Sequence, residues 1–135
     1  MKKLLLLALL CFSVNVFAFK WEKIFVDKFG SAQYVDIEDV KKKDGYLQYW
    51  VLIDNYKPFT DGTRSSVGKW RVDCVEEKIT WLSLISYSQP MGRGAITAIS
   101  YHSSNLDGLT PNKILYPKSN STYYSLMKFI CDKDK

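Results

Sequence analysis

The clearest structural signal in this chain lies in residues 66–74, which read SVGKWRVDC. Apolar and charged residues alternate there: the apolar positions are Trp70, Val72 and Cys74, and the charged positions are Lys69, Arg71 and Asp73. A period of two is typical of a strand with one buried and one solvated face. The stretch therefore predicts a central strand that directs Cys74 inward and Lys69 and Arg71 into solvent.

Further strand signals lie on both sides of this stretch. Aromatic and β-branched residues are concentrated in five segments, at residues 21–26, 33–37, 46–56, 80–87 and 95–101. Asp44-Gly45 favours a tight hairpin, and Asp61-Gly62 marks a second turn. Residues 90–94 predict a further turn, whereas residues 106–118, which contain two prolines, predict an irregular connection.

The C-terminal segment differs in kind. Residues 121–133 contain neither Gly nor Pro. Their apolar residues recur at helical spacing and are Tyr123, Tyr124, Met127, Ile130 and Cys131. Asn120 and Ser121 are both suitable N-cap residues. The sequence therefore predicts an α+β fold, an antiparallel sheet of about six strands with one C-terminal helix packed on it.

Residues 1–18 have the three parts of a secretory signal peptide. Two lysines open the segment, an apolar run follows at residues 4–12, and slim residues occupy the positions that a signal peptidase reads. The run is far shorter than the roughly 20 residues that span a bilayer, so a retained membrane anchor is the weaker alternative. We expect cleavage before Phe19, export, no stable membrane insertion and a single mature domain at residues 19–135.

The expected export also determines the expected chemical state of the cysteines. Cys11 lies inside the predicted signal peptide, and the large Leu10 before it argues against lipid modification. In an oxidising compartment the remaining pair, Cys74 and Cys131, is most simply a disulfide. Free or metal-binding thiols are the alternative, which the single histidine and the lack of a CxxC motif disfavour.

The charge of the chain restricts its partners. The formal net charge is +5, and two of those positive charges fall within residues 1–18. The mature domain is therefore only mildly basic, which argues against a nucleic-acid partner. A mildly basic surface suits acidic glycans, anionic lipid headgroups or a negative patch on another protein.

Basic and aromatic residues supply the candidate binding site. Three consecutive lysines precede the Asp44-Gly45 turn, and two further cations share the solvated side of the alternating strand. The predicted binding residues are Lys41, Lys42, Lys43, Lys69 and Arg71. A solvated loop is the alternative for the triple lysine. Nine tyrosines and four tryptophans exceed what a small core needs, so some are expected on binding surfaces.

No residue pattern in the chain predicts a catalytic, metal or cofactor site. His102, the only histidine, lies beside serines but without a GxSxG nucleophile elbow. The acidic pairs Glu38-Asp39 and Glu76-Glu77 are expected to be solvated charges. We therefore expect no enzymatic activity and no cofactor, and a hydrolase is the weakest hypothesis.

Several local features follow one another in a recognisable order. They are Tyr34-Val35-Asp36, Leu52-Ile53-Asp54, Arg64-Ser65, Cys74, the turn glycines Gly92 and Gly94, Pro117, and Cys131 near the end of the helix. This order resembles the bacterial surface-adhesin protein E-like family over nearly all of the mature chain. The resemblance implies that a Cys74–Cys131 disulfide ties the helix to the concave side of the sheet. It also implies a surface protein that binds host extracellular-matrix and serum proteins.

These observations predict an exported, non-enzymatic binding module in the periplasm or on the cell surface of a Gram-negative bacterium. Its expected ligand is a protein or glycan, with extracellular matrix as one source, bound through aromatic and basic surface residues. The alternative is a periplasmic accessory or structural subunit of an envelope assembly, joined by strand addition to an exposed sheet edge.

Overall fold

The computed structural model describes residues 19–101 and 113–134, which form one antiparallel sheet and a C-terminal helix. The predicted signal peptide and His102 lie outside the described residues. The strands are β1 (Trp21–Val26), β2 (Ala32–Asp36), β3 (Lys41–Lys43), β4 (Tyr46–Asp54), β5 (Ser65–Asp73), β6 (Lys78–Gln89), β7 (Arg93–Tyr101) and β8 (Lys113–Leu115). The helix is α1 (Thr122–Lys133).

The sheet has the strand order β1-β2-β4-β5-β6-β7, with β3 beside β4 and β8 beside β6. The predicted α+β fold, a six-strand path with one C-terminal helix, is confirmed. The two three-residue strands were missed, because they are too short for alternation to show. β3 exists because Asp44 and Gly45 both take positive φ, 53° and 79°, in the predicted hairpin turn, which lays the lysines alongside β4.

The core lies between one face of the sheet and α1. Trp70 is fully buried at its centre, and its ring lies 5.5 Å from the Trp81 ring, 6.2 Å from the Tyr49 ring and 5.6 Å from the Tyr123 ring of α1. A bulge after Lys69 brings Trp81 opposite Trp70. The other core residues are Val35, Leu47, Val51, Val72, Ile79, Leu126, Met127, Ile130 and Cys131.

The helix begins at Thr122, and of the two predicted N-cap residues, Asn120 and Ser121, the second caps it. Ser121 is its N-cap, and its hydroxyl accepts a hydrogen bond from the Tyr124 backbone N–H at 3.2 Å. The predicted stripe is largely correct, since Met127, Ile130 and Cys131 are buried. Leu126 was not predicted to belong to it, yet it is fully buried.

The Cys74–Cys131 disulfide is confirmed, with a Cα–Cα distance of 5.8 Å. The prediction that Cys74 points inward is wrong, because this residue lies exposed in the turn after β5. The Asp73 carboxylate accepts hydrogen bonds from the backbone N–H groups of Val75 and Glu76, both at 3.0 Å, which turns the chain out of the strand before Cys74. Cys131 reaches the bond from the buried stripe of α1.

Replacing Cys74 and Cys131 together with serine is expected to lower the free energy of unfolding substantially. The disulfide closes a loop of 57 residues, and losing that closure costs about 4 kcal/mol on the chain-entropy model. Urea unfolding of the oxidised protein and of the double variant measures the difference. An unchanged unfolding midpoint would show that the bond does not constrain the chain.

Tyr49 gives a second stability prediction. Its hydroxyl is buried and has no hydrogen-bond partner among the described residues, and burial raises the pKa of Tyr49 above its usual value of 10.0. Tyr49→Phe removes this unsatisfied group, so we expect it to preserve stability or raise it by about 1 kcal/mol at neutral pH.

The stability advantage of Tyr49→Phe over the wild type should grow as the pH rises. Above pH ~10 the tyrosine ionises in the unfolded chain but stays neutral in the folded core, so the wild type loses stability as pH rises and the variant loses less. Tyr116→Phe, at a site that is 64% exposed, is the matched control. Thermal melts across this pH range test the prediction, and a Tyr49→Phe variant that is less stable at pH 7 would contradict it.

Candidate functional site

The side of the sheet opposite α1, here called the helix-free face, carries both of the predicted binding residues that lie on β5. Lys69 pairs with Trp50 across β4 and β5, and Arg71 pairs with Gln48. Successive strand residues point to opposite sides, and cross-strand partners share a side. Because Trp70 is buried under α1, Lys69 and Arg71 lie on the helix-free face.

The three lysines of β3 divide between the two sides of the sheet. Lys41 pairs with Gln48, so it lies on the helix-free face, and Lys43 shares that side. Lys42 pairs with Leu47 of the core, and its Nζ lies 3.2 Å from Asp134 Oδ2 at the end of α1. The structure therefore brings four of the five predicted residues together on one face and separates Lys42 from them.

The cations of the helix-free face lie over aromatic rings. Lys69 Nζ is 5.6 Å from the centroid of the Trp50 ring, and the Arg71 guanidinium carbon is 4.7 Å from that of Tyr46. On neighbouring strands, Lys23 Nζ lies 5.6 Å from the centroid of Tyr34. Each pair joins β1 to β2 or β4 to β5 through side chains as well as through the backbone ladder.

An aromatic cluster at the start of the described chain continues this surface. The Phe19 ring stacks on Trp21 at 4.7 Å and meets Trp50 edge-on at 5.3 Å. The sheet register brings Trp21 and Trp50 near each other. Trp21 pairs with Asp36 at the end of β2, and the residue before Asp36, Val35, pairs with Val51, which directly follows Trp50. Sequence reasoning missed this cluster, since no local pattern shows which residues of distant strands become neighbours.

A groove of about 530 Å³ lies beside the cluster. Its lining residues are Phe19, Lys20, Asp36, Glu38, Asp39, Lys41, Gln48, Tyr49, Trp50 and Lys69. Its volume falls in the range of small-ligand sites, roughly 300–1,000 Å³. Carboxylates, ammonium groups and an amide converge there on an aromatic wall, which provides both hydrogen-bond partners and a stacking surface.

Most charges of the groove are paired with one another. Lys20 Nζ lies 2.7 Å from Glu38 Oε2, and the hydrogen bond to Glu38 raises the pKa of Lys20. Lys41 Nζ lies 3.3 Å from Asp39 Oδ1. Exposed ion pairs of this kind contribute little to stability and exchange readily with an incoming ligand. Lys69 forms no ion pair among the described residues, so its ammonium is available to a ligand.

The described residues hold no group of His, Cys, Asp or Glu side chains that would bind a metal ion. Among residues 19–101 and 113–134, no helix has the length and apolar character that a bilayer crossing requires. The acidic pair Glu38-Asp39 lies in the groove, but each carboxylate faces a lysine. The arrangement is one of stacking, hydrogen bonding and charge, which suits reversible binding.

Comparison with protein families matches most of the chain. The model of the family described as Surface-adhesin protein E matches residues 21–132, which include every described strand and almost all of α1. No curated protein sequence matches the chain.

Solved structures share the fold. The structure of Haemophilus influenzae protein E aligns with a TM-score of 0.59 at 15% identity, covering 82% of this chain and 84% of that chain. The crystal structure of protein E from non-typeable Haemophilus influenzae aligns with a TM-score of 0.57 at 14% identity, covering 88% of this chain and 79% of that one. At this level of identity the likeness establishes the architecture alone.

Proposed function

This chain belongs to the surface-adhesin protein E family, and we propose from that premise that it is an exported, non-enzymatic binding module. It engages a protein or glycan, extracellular matrix included, through the helix-free face. The observation that carries the proposal is the placement of Lys69 over Trp50 and of Arg71 over Tyr46 on the side of the sheet that α1 leaves open.

Binding by the helix-free face rests on two properties: the β ladder is rigid, and it presents aromatic, charged and hydrogen-bonding side chains together. Tyr46 and Trp50 are half-buried in a continuous β ladder, so they offer apolar area at little cost in conformational entropy. Arginine and aromatic residues are those on which binding energy concentrates in protein interfaces. The neighbouring groove adds Gln48 and exchangeable ion pairs, which suit the hydroxyl groups of a glycan or the polar rim of a protein.

Substitutions on the helix-free face test this proposal. We expect Trp50→Ala and Lys69→Ala each to weaken binding to immobilised basement-membrane extract or to heparin by about tenfold. Lys133→Ala is the matched control for Lys69→Ala, because Lys133 Nζ also lies over a ring, that of Phe129, at 5.2 Å on the helix. Surface plasmon resonance at two salt concentrations measures the affinity and its electrostatic part.

The controls decide the interpretation. Thermal melts must show that the variants remain folded. Equal losses in Lys69→Ala and Lys133→Ala would mean that overall charge governs binding, and unchanged binding by Trp50→Ala would remove the helix-free face as the site.

The second candidate is a periplasmic accessory or structural subunit, and the edge strand β7 favours it. Residues 94–101 carry no charge, and Ile96 and Ile99 are 55% and 51% exposed. A long, uncharged edge strand invites pairing with a further strand. Ile99→Lys would place a charge on this edge strand and block such assembly.

Location separates the two candidates. We expect an N-terminus at Phe19 by mass spectrometry of the protein from cells. Degradation by protease added to whole cells would support a surface binding module, whereas full protection would support the periplasmic subunit. An N-terminus at Met1 would contradict export by signal-peptide cleavage.

A further inference from the structure

Three aromatic side chains project into solvent at one end of the sheet. Phe29, in the turn between β1 and β2, is 70% exposed, and Tyr56 and Phe59, in the loop between β4 and β5, are 60% and 61% exposed. These three residues are here called the aromatic tip. Single exposed apolar residues are ordinary, but a group on adjoining loops marks an interaction surface.

The two loops that carry the aromatic tip are joined to each other. The Tyr56 backbone N–H donates to Ser31 Oγ at 3.1 Å. Gly30 takes a φ of 89°, and a Cβ there would come within 3.2 Å of the Tyr56 ring, so glycine lets the ring pack on the turn. The Asp27 carboxylate braces the same turn by accepting from the Phe29 and Ser31 backbone N–H groups at 2.8 and 3.0 Å. The aromatic tip is therefore formed before any partner arrives.

Lysines flank the rings. Lys28 Nζ lies 5.0 Å from the centroid of the Phe29 ring, and Lys57 Nζ lies 5.9 Å from that of Tyr56. Neither lysine forms an ion pair among the described residues. The nearby carboxylates of Asp27 and Asp61 instead accept hydrogen bonds from backbone N–H groups of their own turns. Both lysines are exposed, as the three rings are.

An apolar hollow of about 760 Å³ opens behind the aromatic tip, between the two loops and the first turn of α1. Ile53, Leu84 and Tyr123 contribute to its walls. The hollow extends the apolar surface of the rings inward. A rigid protein partner would have to supply a matching projection, whereas acyl chains adapt to such a surface.

We propose that the aromatic tip docks reversibly on a lipid surface that carries anionic headgroups. Aromatic rings favour the boundary between headgroups and acyl chains, and lysines beside them favour the phosphates. The tip terminates β1 and β4, so docking sets the strands upright on the surface. The helix-free face then stands clear of the lipid, beside the bound tip. This inference is independent of the ligand of that face.

Co-sedimentation of the mature protein with lipid vesicles tests the proposal. The probes are vesicles of phosphatidylcholine alone and vesicles of phosphatidylcholine with phosphatidylglycerol. We expect the double variant Phe29→Ser/Phe59→Ser to lose about tenfold in partitioning for each ring removed, on both vesicle types. Lys28→Gln and Lys57→Gln are each expected to lose about fivefold, and only on the phosphatidylglycerol vesicles.

A matched control lies at the opposite end of the sheet. Tyr116 is 64% exposed and follows β8, which pairs with the start of β6, so Tyr116→Ser should not change partitioning. Lys69→Ala should leave vesicle binding unchanged, which keeps this test separate from the test of the helix-free face. All the substituted side chains are exposed or at the surface, so thermal melts of the tip variants should match the wild type.

Three results would overturn the proposal. The first is that the wild type co-sediments with neither vesicle type, and the second is equal partitioning by the wild type and the Phe29→Ser/Phe59→Ser variant. The third is loss of binding to basement-membrane extract by that variant with vesicle binding unchanged, which would make the aromatic tip a protein-binding site.

Discussion

The apolar face of the sheet around Trp70 must be covered, and the rest of the structure depends on how α1 covers it. Tyr49, Trp70 and Val72 are fully buried, and each lies on the side that the helix occupies. A helix of 12 residues is marginal by itself in water. Sheet and helix therefore stabilise each other, and the Cys74–Cys131 disulfide keeps them together in the unfolded chain as well.

Covering one face determines what the other face can do. With α1 fixed on one side, the opposite side is free to present cations over aromatic rings on a stiff ladder of strands, as Lys69 does over Trp50. The loops at the strand ends contribute a separate surface, the aromatic tip. Core, helix-free face and tip occupy different parts of one sheet, so substitutions in one need not disturb the others.

Local periodicity made much of the fold predictable. The alternation in residues 66–74 and the stripe of α1 were readable because each reflects burial on one side of a single element. The inward direction of Cys74 was wrong, since the Asp73 carboxylate accepts hydrogen bonds from the Val75 and Glu76 backbone N–H groups and ends the strand one residue early. The candidate site was less predictable. Lys42 lies on the opposite side of the sheet from Lys41 and Lys43 because of the strand register. Phe19 contacts Trp50 only because segments far apart in the sequence become neighbours in the sheet.

Native-state hydrogen exchange of the oxidised protein tests most directly whether α1 and the sheet stabilise each other. The amides to compare are those of Met127 and Ile130 in α1 with those of Trp70 and Val72 in β5. If helix and sheet stabilise each other, both sets open with the same free energy, that of global unfolding. Exchange of the helix amides at a much lower free energy than the strand amides would show that the sheet stands without its helix, which would contradict this account.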